Sequence, residues 1–210
     1  RYLQVTATPY SLFLQPNGII ELSNGGYAQP WRPRFTSIVP VHDHYIGGQQ
    51  YFVESRDEAS MYSHLFHPIS EKCIEVLGRR NKHYITRGTQ SKNLEDLTDA
   101  VTSYFIGTAI RSIQEEELGR AYQSSALIHC DIAQKLHKWQ SELIESVITG
   151  VCSAICSRPQ EDRMDDTIRK IYSDFEQSNK KARAQGLINV KLPSRTAVIK
   201  RMQQIFERED

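Results

Sequence analysis

The chain has 210 residues and carries 26 Lys and Arg against 25 Asp and Glu, so its formal net charge at neutral pH is +1. This balance excludes a global electrostatic attraction to nucleic acid, and any basic track must be local. A hydrophobic fraction of 39% allows a real core and excludes wholesale disorder. No apolar run approaches the roughly 18 residues of a membrane span, so we expect a cytoplasmic protein with no membrane partner.

The chain opens on an apolar segment, Tyr2–Val5, which is typical of a buried strand and is followed by the tetrapeptide Thr6-Ala7-Thr8-Pro9. A core strand rarely begins a natural chain, so we interpret Arg1 as an internal position of a longer protein. Ile19–Leu22 is predicted to be a short strand followed by a turn at Asn24–Gly26. An extended segment and a polar loop then lead to Gly47 and Gly48.

Residues 54–68 are predicted to be weakly helical. The clearest helix runs over about Asn93–Leu118, with a capping box formed by Asn93 and Asp96 and an end at Gly119. Its apolar positions recur at helical spacing. They are Leu94, Leu97, Val101, Tyr104, Phe105 and Ile113.

Ser125–Cys130 is predicted to be a short strand that turns tightly into a helix, which together would form half of a β-α-β unit. Three further helices are predicted after that strand, each from one apolar stripe. The stripes are Ile132, Leu136, Trp139, Leu143 and Val147; Met164, Ile168, Ile171 and Phe175; and Val198, Met202 and Ile205. Leu187–Leu192, between the second and third helices, is predicted to be extended.

Three stretches in order resemble one family. They are Val5–Tyr10, Tyr45–Gly48, and the long helix from Leu94 to Phe105 running on to Ser125–His129. Together they resemble the Z-one domain, which is named as an endonuclease domain and partly overlaps a superfamily-two helicase core in bacterial restriction and defence proteins. The T-A-T-P turn resembles motif III of those helicases.

The resemblance implies an α/β fold, with a partial RecA-like lobe and a largely helical insertion. It divides the chain into the end of a first RecA-like lobe with its connection (1–53), a helical insertion (54–122), and the start of a second RecA-like lobe (123–210). The first lobe itself would be missing from this chain.

The resemblance also implies a function. The whole protein would be a nucleic-acid-dependent, helicase-like ATPase of a DNA restriction or phage-defence system, with DNA as partner and ATP and Mg²⁺ as cofactors. Thr6 and Thr8 would couple the nucleotide site to the nucleic-acid site.

This chain alone is expected to be inactive, with no catalytic residue and no cofactor of its own. It contains no G-x-x-x-x-G-K-[ST] phosphate loop. Asp57–Ser60 imitates a magnesium-binding D-E-x-x box, but it follows the T-A-T-P turn and lacks the apolar strand that such a box requires. No lysine has Asp or Glu two positions before it, so the [D/E]-x-K signature of restriction-type nucleases is absent.

Basic and aromatic residues are interleaved in two segments, as in surfaces that neutralise phosphates and stack on bases. The predicted nucleic-acid contacts are Trp31, Arg32, Arg34, Arg79, Arg80, Lys82 and Arg87. A solvated charged loop is the alternative for the denser cluster at residues 79–83.

A metal site is not predicted. His42, Asp43 and His44 could bind a cation with help from His64, His67 or Cys73, but no spacing fixes a set of ligands, and a solvated loop explains them better. The four cysteines form no C-x-x-C pair, which favours free thiols in a reducing compartment. Two other functions stay open for the chain, namely a non-catalytic protein-interaction module and a metal-dependent endonuclease domain.

Overall fold

The computed structural model describes residues 18–29, 37, 39–40, 42, 45–81, 83–129, 134–157 and 162–207. The chain divides into two units, Arg1–Tyr45 and Ile46–Asp210. Within the described ranges, helices are the only regular secondary structure of the second unit, and turns and loops connect them. None of its described helices is both long and apolar enough to cross a membrane. The T-A-T-P turn lies outside the described residues.

The first unit contains a small hairpin. Strands β1 (Ile20–Glu21) and β2 (Tyr27–Ala28) pair antiparallel, with Ile20 opposite Ala28. Gly25 has a φ of +77°, a conformation that glycine adopts without steric cost. The short strand and the turn predicted from Ile19–Leu22 and Asn24–Gly26 are therefore confirmed.

Seven α-helices and three 3₁₀ turns form the described part of the second unit. The α-helices are α1 (Gly48–Phe52), α2 (Glu71–Gly78), α3 (His83–Arg87), α4 (Glu95–Glu117), α5 (Gln134–Cys156), α6 (Asp162–Ala184) and α7 (Arg195–Phe206). The 3₁₀ turns cover Glu54–Arg56, Gly88–Gln90 and Lys92–Leu94. The four long helices predicted from apolar stripes are confirmed.

Helix α4 is the centre of this unit, because α5, α6 and α7 all pack against it. Its core face carries Leu97, Val101, Ile106 and Ala109, and each of them is buried. The facing helices contribute side chains that are also out of solvent, including Leu143, Val147, Ile168, Val198 and Met202. Each large side chain buried in this way contributes about 1.5–3 kcal/mol relative to exposure.

Polar contacts at the rim fix how these helices are aligned. Lys170 on α6 pairs with Asp99 on α4 at 3.0 Å, and Arg201 on α7 pairs with Glu116 on α4. Gln203 of α7 donates to the carbonyl of Ile155, near the end of α5. These exposed or half-exposed pairs add little stability individually, so the apolar face of α4 dominates the packing.

The predicted end of α4 is confirmed, whereas its predicted cap is wrong. Gly119 follows the helix with a φ of +68°, the left-handed conformation that commonly ends a helix. At the other end a 3₁₀ turn precedes the helix, and Leu94 is the N-cap residue without a side-chain bond. Asp96 instead accepts hydrogen bonds from the backbone N–H and the hydroxyl of Ser70, at 2.8 and 2.5 Å.

The strand predicted at Ser125–Cys130 is wrong for its described part. Residues 125–129 have no regular secondary structure and are exposed, and Leu127 has 94% of its side chain in solvent. The strands found among the described residues are those of the hairpin, so no described strand offers residues 125–129 a ladder of backbone hydrogen bonds. The RecA-like lobe, the α/β class and the three domain boundaries remain predictions.

One weaker prediction also differs from the structure. Residues 54–68 form only the 3₁₀ turn Glu54–Arg56 and a series of turns, rather than a longer helix. The segment has no continuous apolar face to bury, and burial of such a face is the main source of helix stability in proteins. Residues 187–192 form neither helix nor sheet strand, so the extended conformation predicted for them stays a prediction.

Replacing Gly150 on α5 with Ala is expected to destabilise the protein. A Cβ at this position would lie 2.9 Å from Cγ2 of Thr89, on the 3₁₀ turn that packs against α5. Overpacking costs about 1–3 kcal/mol, whereas the higher helix propensity of alanine relative to glycine stabilises the helix by at most about 1 kcal/mol. Urea denaturation should therefore show a net loss on the order of 1 kcal/mol. Gly78→Ala is the matched control, because a Cβ there meets nothing within 4 Å; equal stability in the two variants would contradict the close packing.

Replacing Ser70 with Ala is expected to raise the pKa of Asp96. In the folded protein that pKa lies below its ordinary value of 3.8, chiefly because the Ser70 hydroxyl donates to the carboxylate and secondly because the Ser70 N–H does. A lowered pKa stabilises the fold above the unfolded value and loses that effect as the pH falls through the folded value. The stability difference between wild type and variant should therefore shrink below about pH 4. An NMR titration of Asp96 measures the pKa, and an unchanged value in the variant would refute the hydroxyl's role.

Candidate nucleic-acid interface

The predicted nucleic-acid contacts fall partly outside the described residues. Trp31, Arg32, Arg34 and Lys82 lie outside them, as do the predicted coupling residues Thr6 and Thr8. The backbone of Arg87 belongs to α3, but its side chain is not described. The structure therefore places two of the predicted cations in full, Arg79 and Arg80, and both are exposed.

Helix α2 presents this arginine pair at its carboxyl end. The hydroxyl of Ser70 accepts a hydrogen bond from the N–H of Cys73 at 3.4 Å and so caps the helix. Cys73, Val76 and Leu77 form its buried face. The helix ends at Gly78, and Arg79 continues in extended conformation. The chain therefore passes from the buried Leu77 to the exposed Arg79 within two residues.

Two side chains of α5 hold the end of α2 in place. Nε1 of Trp139 donates to the carbonyl of Val76 at 3.3 Å, and Nε2 of Gln140 donates to the carbonyl of Leu77 at 3.2 Å. The last carbonyls of a helix have no partner within the helix, and leaving such a buried group unsatisfied costs about 1–3 kcal/mol. Trp139 and Gln140 are themselves buried. The arginine pair thus leaves from a fixed point of the core.

The chain beyond the arginines is also tied down. The side chain of Asn81 accepts from the N–H of His83 at 3.0 Å, and the ring of His83 meets that of Tyr84 edge-on. The hydroxyl of Tyr84 accepts from Asn93, while Ser146 of α5 donates to the carbonyl of Ile85 at 2.6 Å. Hydrogen bonds from α5 therefore hold the chain both before the two arginines, at Val76 and Leu77, and after them, at Ile85.

A cleft of 320 Å³ adjoins this helix end. It is formed by the segment before α5 and by the first turns of α5. Its walls are Ile128, His129, His137, Gln140, Ser141, Ile144 and Glu145. Gln140 belongs to both features, because it lines the cleft and also holds the end of α2. The sequence interpretation missed this cleft, since it assigned residues 125–130 to a short strand.

The cleft combines two imidazole rings with polar groups. The ring centroids of His129 and His137 are 6.2 Å apart at an interplanar angle of 65°. The hydroxyl of Ser141 donates to Oε1 of Glu145 at 3.1 Å. Two isoleucines give it apolar walls. The described lining residues offer faces for stacking and one carboxylate as an acceptor, and no Asp–His–Ser relay is found among them.

A second cavity lies between α4 and α6. It has a volume of 90 Å³ and is lined in part by Thr98, Asp99 and Arg163. A volume of this size holds a few waters at most, whereas small-molecule sites usually need about 300 Å³ or more. The cleft beside α2 is therefore the better candidate for a ligand.

The residues considered for a metal do not converge where the structure describes them. His64 contacts Asp174 at 3.2 Å, His67 contacts the carbonyl of His64, and Cys73 is buried in the core. Asp43 and His44 lie outside the described residues. Across the described ranges, no group of three or more His, Cys, Asp or Glu could hold a metal ion.

Comparison with known proteins gives no relative for this chain: no protein-family model, curated protein or solved structure matches it.

Replacing Trp139 with Phe is expected to loosen the end of α2. The variant keeps an aromatic ring in the core but removes the N–H that reaches Val76, at a cost of about 1–3 kcal/mol for the buried carbonyl. Hydrogen exchange of the amides of α2 should accelerate more than exchange in α6. Lys138→Ala, an exposed neighbour on the same helix, is the control and should leave α2 unchanged. Equal protection of α2 in Trp139→Phe and wild type would refute the anchoring role.

Proposed function

We propose that this chain is the nucleic-acid-contacting, non-catalytic part of a helicase-like ATPase of superfamily two, in a bacterial DNA restriction or phage-defence system. The ordered resemblance to the Z-one domain, from the T-A-T-P turn to Ser125–His129, supports the class of protein. The structural observation that carries the nucleic-acid contact is the exposed pair Arg79 and Arg80 on an anchored helix end.

The anchoring supplies what a phosphate contact requires. A guanidinium group keeps its charge at all relevant pH values and offers several donors in a planar fork that matches phosphate oxygens. Because Trp139 and Gln140 hold the end of α2, less conformational entropy would be lost when Arg79 and Arg80 contact a phosphate than for arginines on a free loop. The binding free energy then comes chiefly from releasing counterions of the nucleic acid.

Turnover of ATP belongs to the rest of the proposed protein. The phosphate loop and acidic box would lie on the missing first lobe and would bind ATP with Mg²⁺. Thr6 and Thr8 would transmit the state of that nucleotide to the nucleic-acid contacts. The chain itself would position the strand without catalysing a reaction.

A second candidate function, a protein-interaction module, is favoured by one surface feature. Tyr51, Phe52, Val53, Phe66 and Ile69 expose large apolar area, and the rings of Phe52 and Phe66 meet edge-on with centroids 5.8 Å apart. Contiguous apolar surface of this kind often marks a contact with another protein. Nucleic-acid binding that depends on the arginines would favour the first candidate, since this patch carries no cation.

Reversing both charges in Arg79→Glu/Arg80→Glu is expected to weaken DNA binding in a salt-dependent way. Each lost phosphate contact reduces the slope of log K against log[salt] by about 0.7–0.9, so two lost contacts should reduce it by about 1.4–1.8. Fluorescence anisotropy with labelled single-stranded and duplex oligonucleotides, at several salt concentrations, measures both the affinity and the slope.

The matched control is Lys180→Glu/Arg183→Glu. It makes the same change in net charge at the exposed carboxyl end of α6, where cations are expected to interact with the helix dipole. Unchanged affinity and slope in the Arg79/Arg80 variant, or an equal loss in the control, would show that the arginine pair is only a solvated loop.

A further inference from the structure

The cleft beside α2 is placed to act together with the arginine pair. Gln140 lines the cleft and donates to the carbonyl of Leu77, and Leu77 precedes Arg79 by two residues. Two residues of extended chain span at most about 7 Å. The arginine pair and the cleft are therefore linked through one buried side chain, that of Gln140.

The size and walls of the cleft suit one planar heterocycle. Its volume of 320 Å³ is at the lower end of the range for small-ligand sites, about 300–1,000 Å³. The exposed ring of His129 and the apolar side chains of Ile128 and Ile144 offer surfaces on which a base can stack. Stacking of this type is how proteins hold unpaired bases, and it tolerates any base.

The carboxylate of Glu145 adds a means of discrimination. Oε1 of Glu145 accepts from Ser141, and Glu145 is exposed to the cleft solvent. A carboxylate accepts a hydrogen bond from the exocyclic amino group of cytosine. Thymine presents a carbonyl oxygen at the same position, so two acceptors would face each other there.

We propose that this cleft receives one unstacked base of a single-stranded nucleic acid whose phosphates contact Arg79 and Arg80, and that Glu145 makes it prefer cytosine to thymine. This inference rests on the proposed nucleic-acid contact. His129 provides the stacking surface, and Ser141 holds the carboxylate of Glu145 in place. The arginines supply affinity without regard to sequence, and the cleft supplies the choice of base.

The test compares binding of fluorescent oligo-dC and oligo-dT of equal length to the full chain at pH 7.5. Wild type should bind oligo-dC at least about 5-fold more tightly, the lower limit for one good base contact. Glu145→Gln should remove or reverse this ratio, because an amide can also donate to the thymine carbonyl. Glu142→Gln is the matched control on the same helix; Glu142 does not line the cleft, so its variant should keep the ratio.

Two further variants separate the inference from the proposed function. His129→Ala should weaken binding of both oligonucleotides and leave their ratio unchanged, and Arg79→Glu/Arg80→Glu should do the same with a lower salt slope. Equal binding of oligo-dC and oligo-dT by wild type, or an unchanged ratio in Glu145→Gln, would overturn the cleft inference. If the cleft inference is overturned but the arginine variant still loses affinity, the proposed nucleic-acid contact stands. If the arginine variant keeps its affinity, the proposed contact and the cleft inference are both refuted.

Discussion

The burial of α4 against three other long helices is the constraint from which the rest of the helical unit follows. Ile106 and Ala109 lie at the middle of α4, and both are fully buried. Gly107 of α4 has no side chain, so the ring of Phe175 on α6 packs close to it, with Cζ 3.4 Å from the position that a Cβ would take. The ring of Phe105 on α4 packs edge-on against that of Phe206 on α7. Since most of the stability of a helix in a protein comes from tertiary packing, α4 depends on its contacts with α5, α6 and α7.

Helix α5 connects this packed core to the candidate interface, because it contacts both α4 and the end of α2. The face of α5 that carries Leu143 and Val147 lies in the core, and one turn earlier the same helix places Trp139 and Gln140 at the carbonyls of α2. The positions of Arg79 and Arg80 are thus set by buried contacts, although the arginines themselves are exposed. A small, surface-located helix acquires a fixed orientation from a core that is remote in sequence.

The long helices could be predicted from sequence because each has an apolar stripe that tertiary packing then buries. Met164, Ile168 and Ile171 are an example, as the pattern and the burial coincide. The segment 125–129 shows the limit. Its residues are apolar and would suit a strand, but a strand forms only where another strand offers backbone partners, and a local sequence pattern carries no information about that. Leu127 is consequently exposed.

Only those parts of the interface that lie close together in the sequence could be predicted. The basic cluster that contains Arg79 and Arg80 is visible in sequence, but the helix that precedes it was not predicted, and Asp96 was assigned to a capping box at the wrong helix. The donor to Asp96, Ser70, is 26 residues away, and the cleft combines residues 128–129 with side chains of α5. Such features depend on tertiary contacts between side chains that have no fixed spacing along the chain, so a spacing rule cannot find them.

The near-neutral charge of the chain gives these local contacts their significance. With a net charge of +1, long-range attraction to a polyanion is weak, and surface charges more than about 10 Å apart are screened at physiological salt. Any affinity for nucleic acid would then depend on a few cations held at short distance from phosphates. Fixing the backbone around an arginine on a free loop would cost conformational entropy and so reduce that affinity. The backbone of Arg79 instead continues directly from a helix end whose carbonyls are held by Trp139 and Gln140, so less of this entropy would be lost when a phosphate binds.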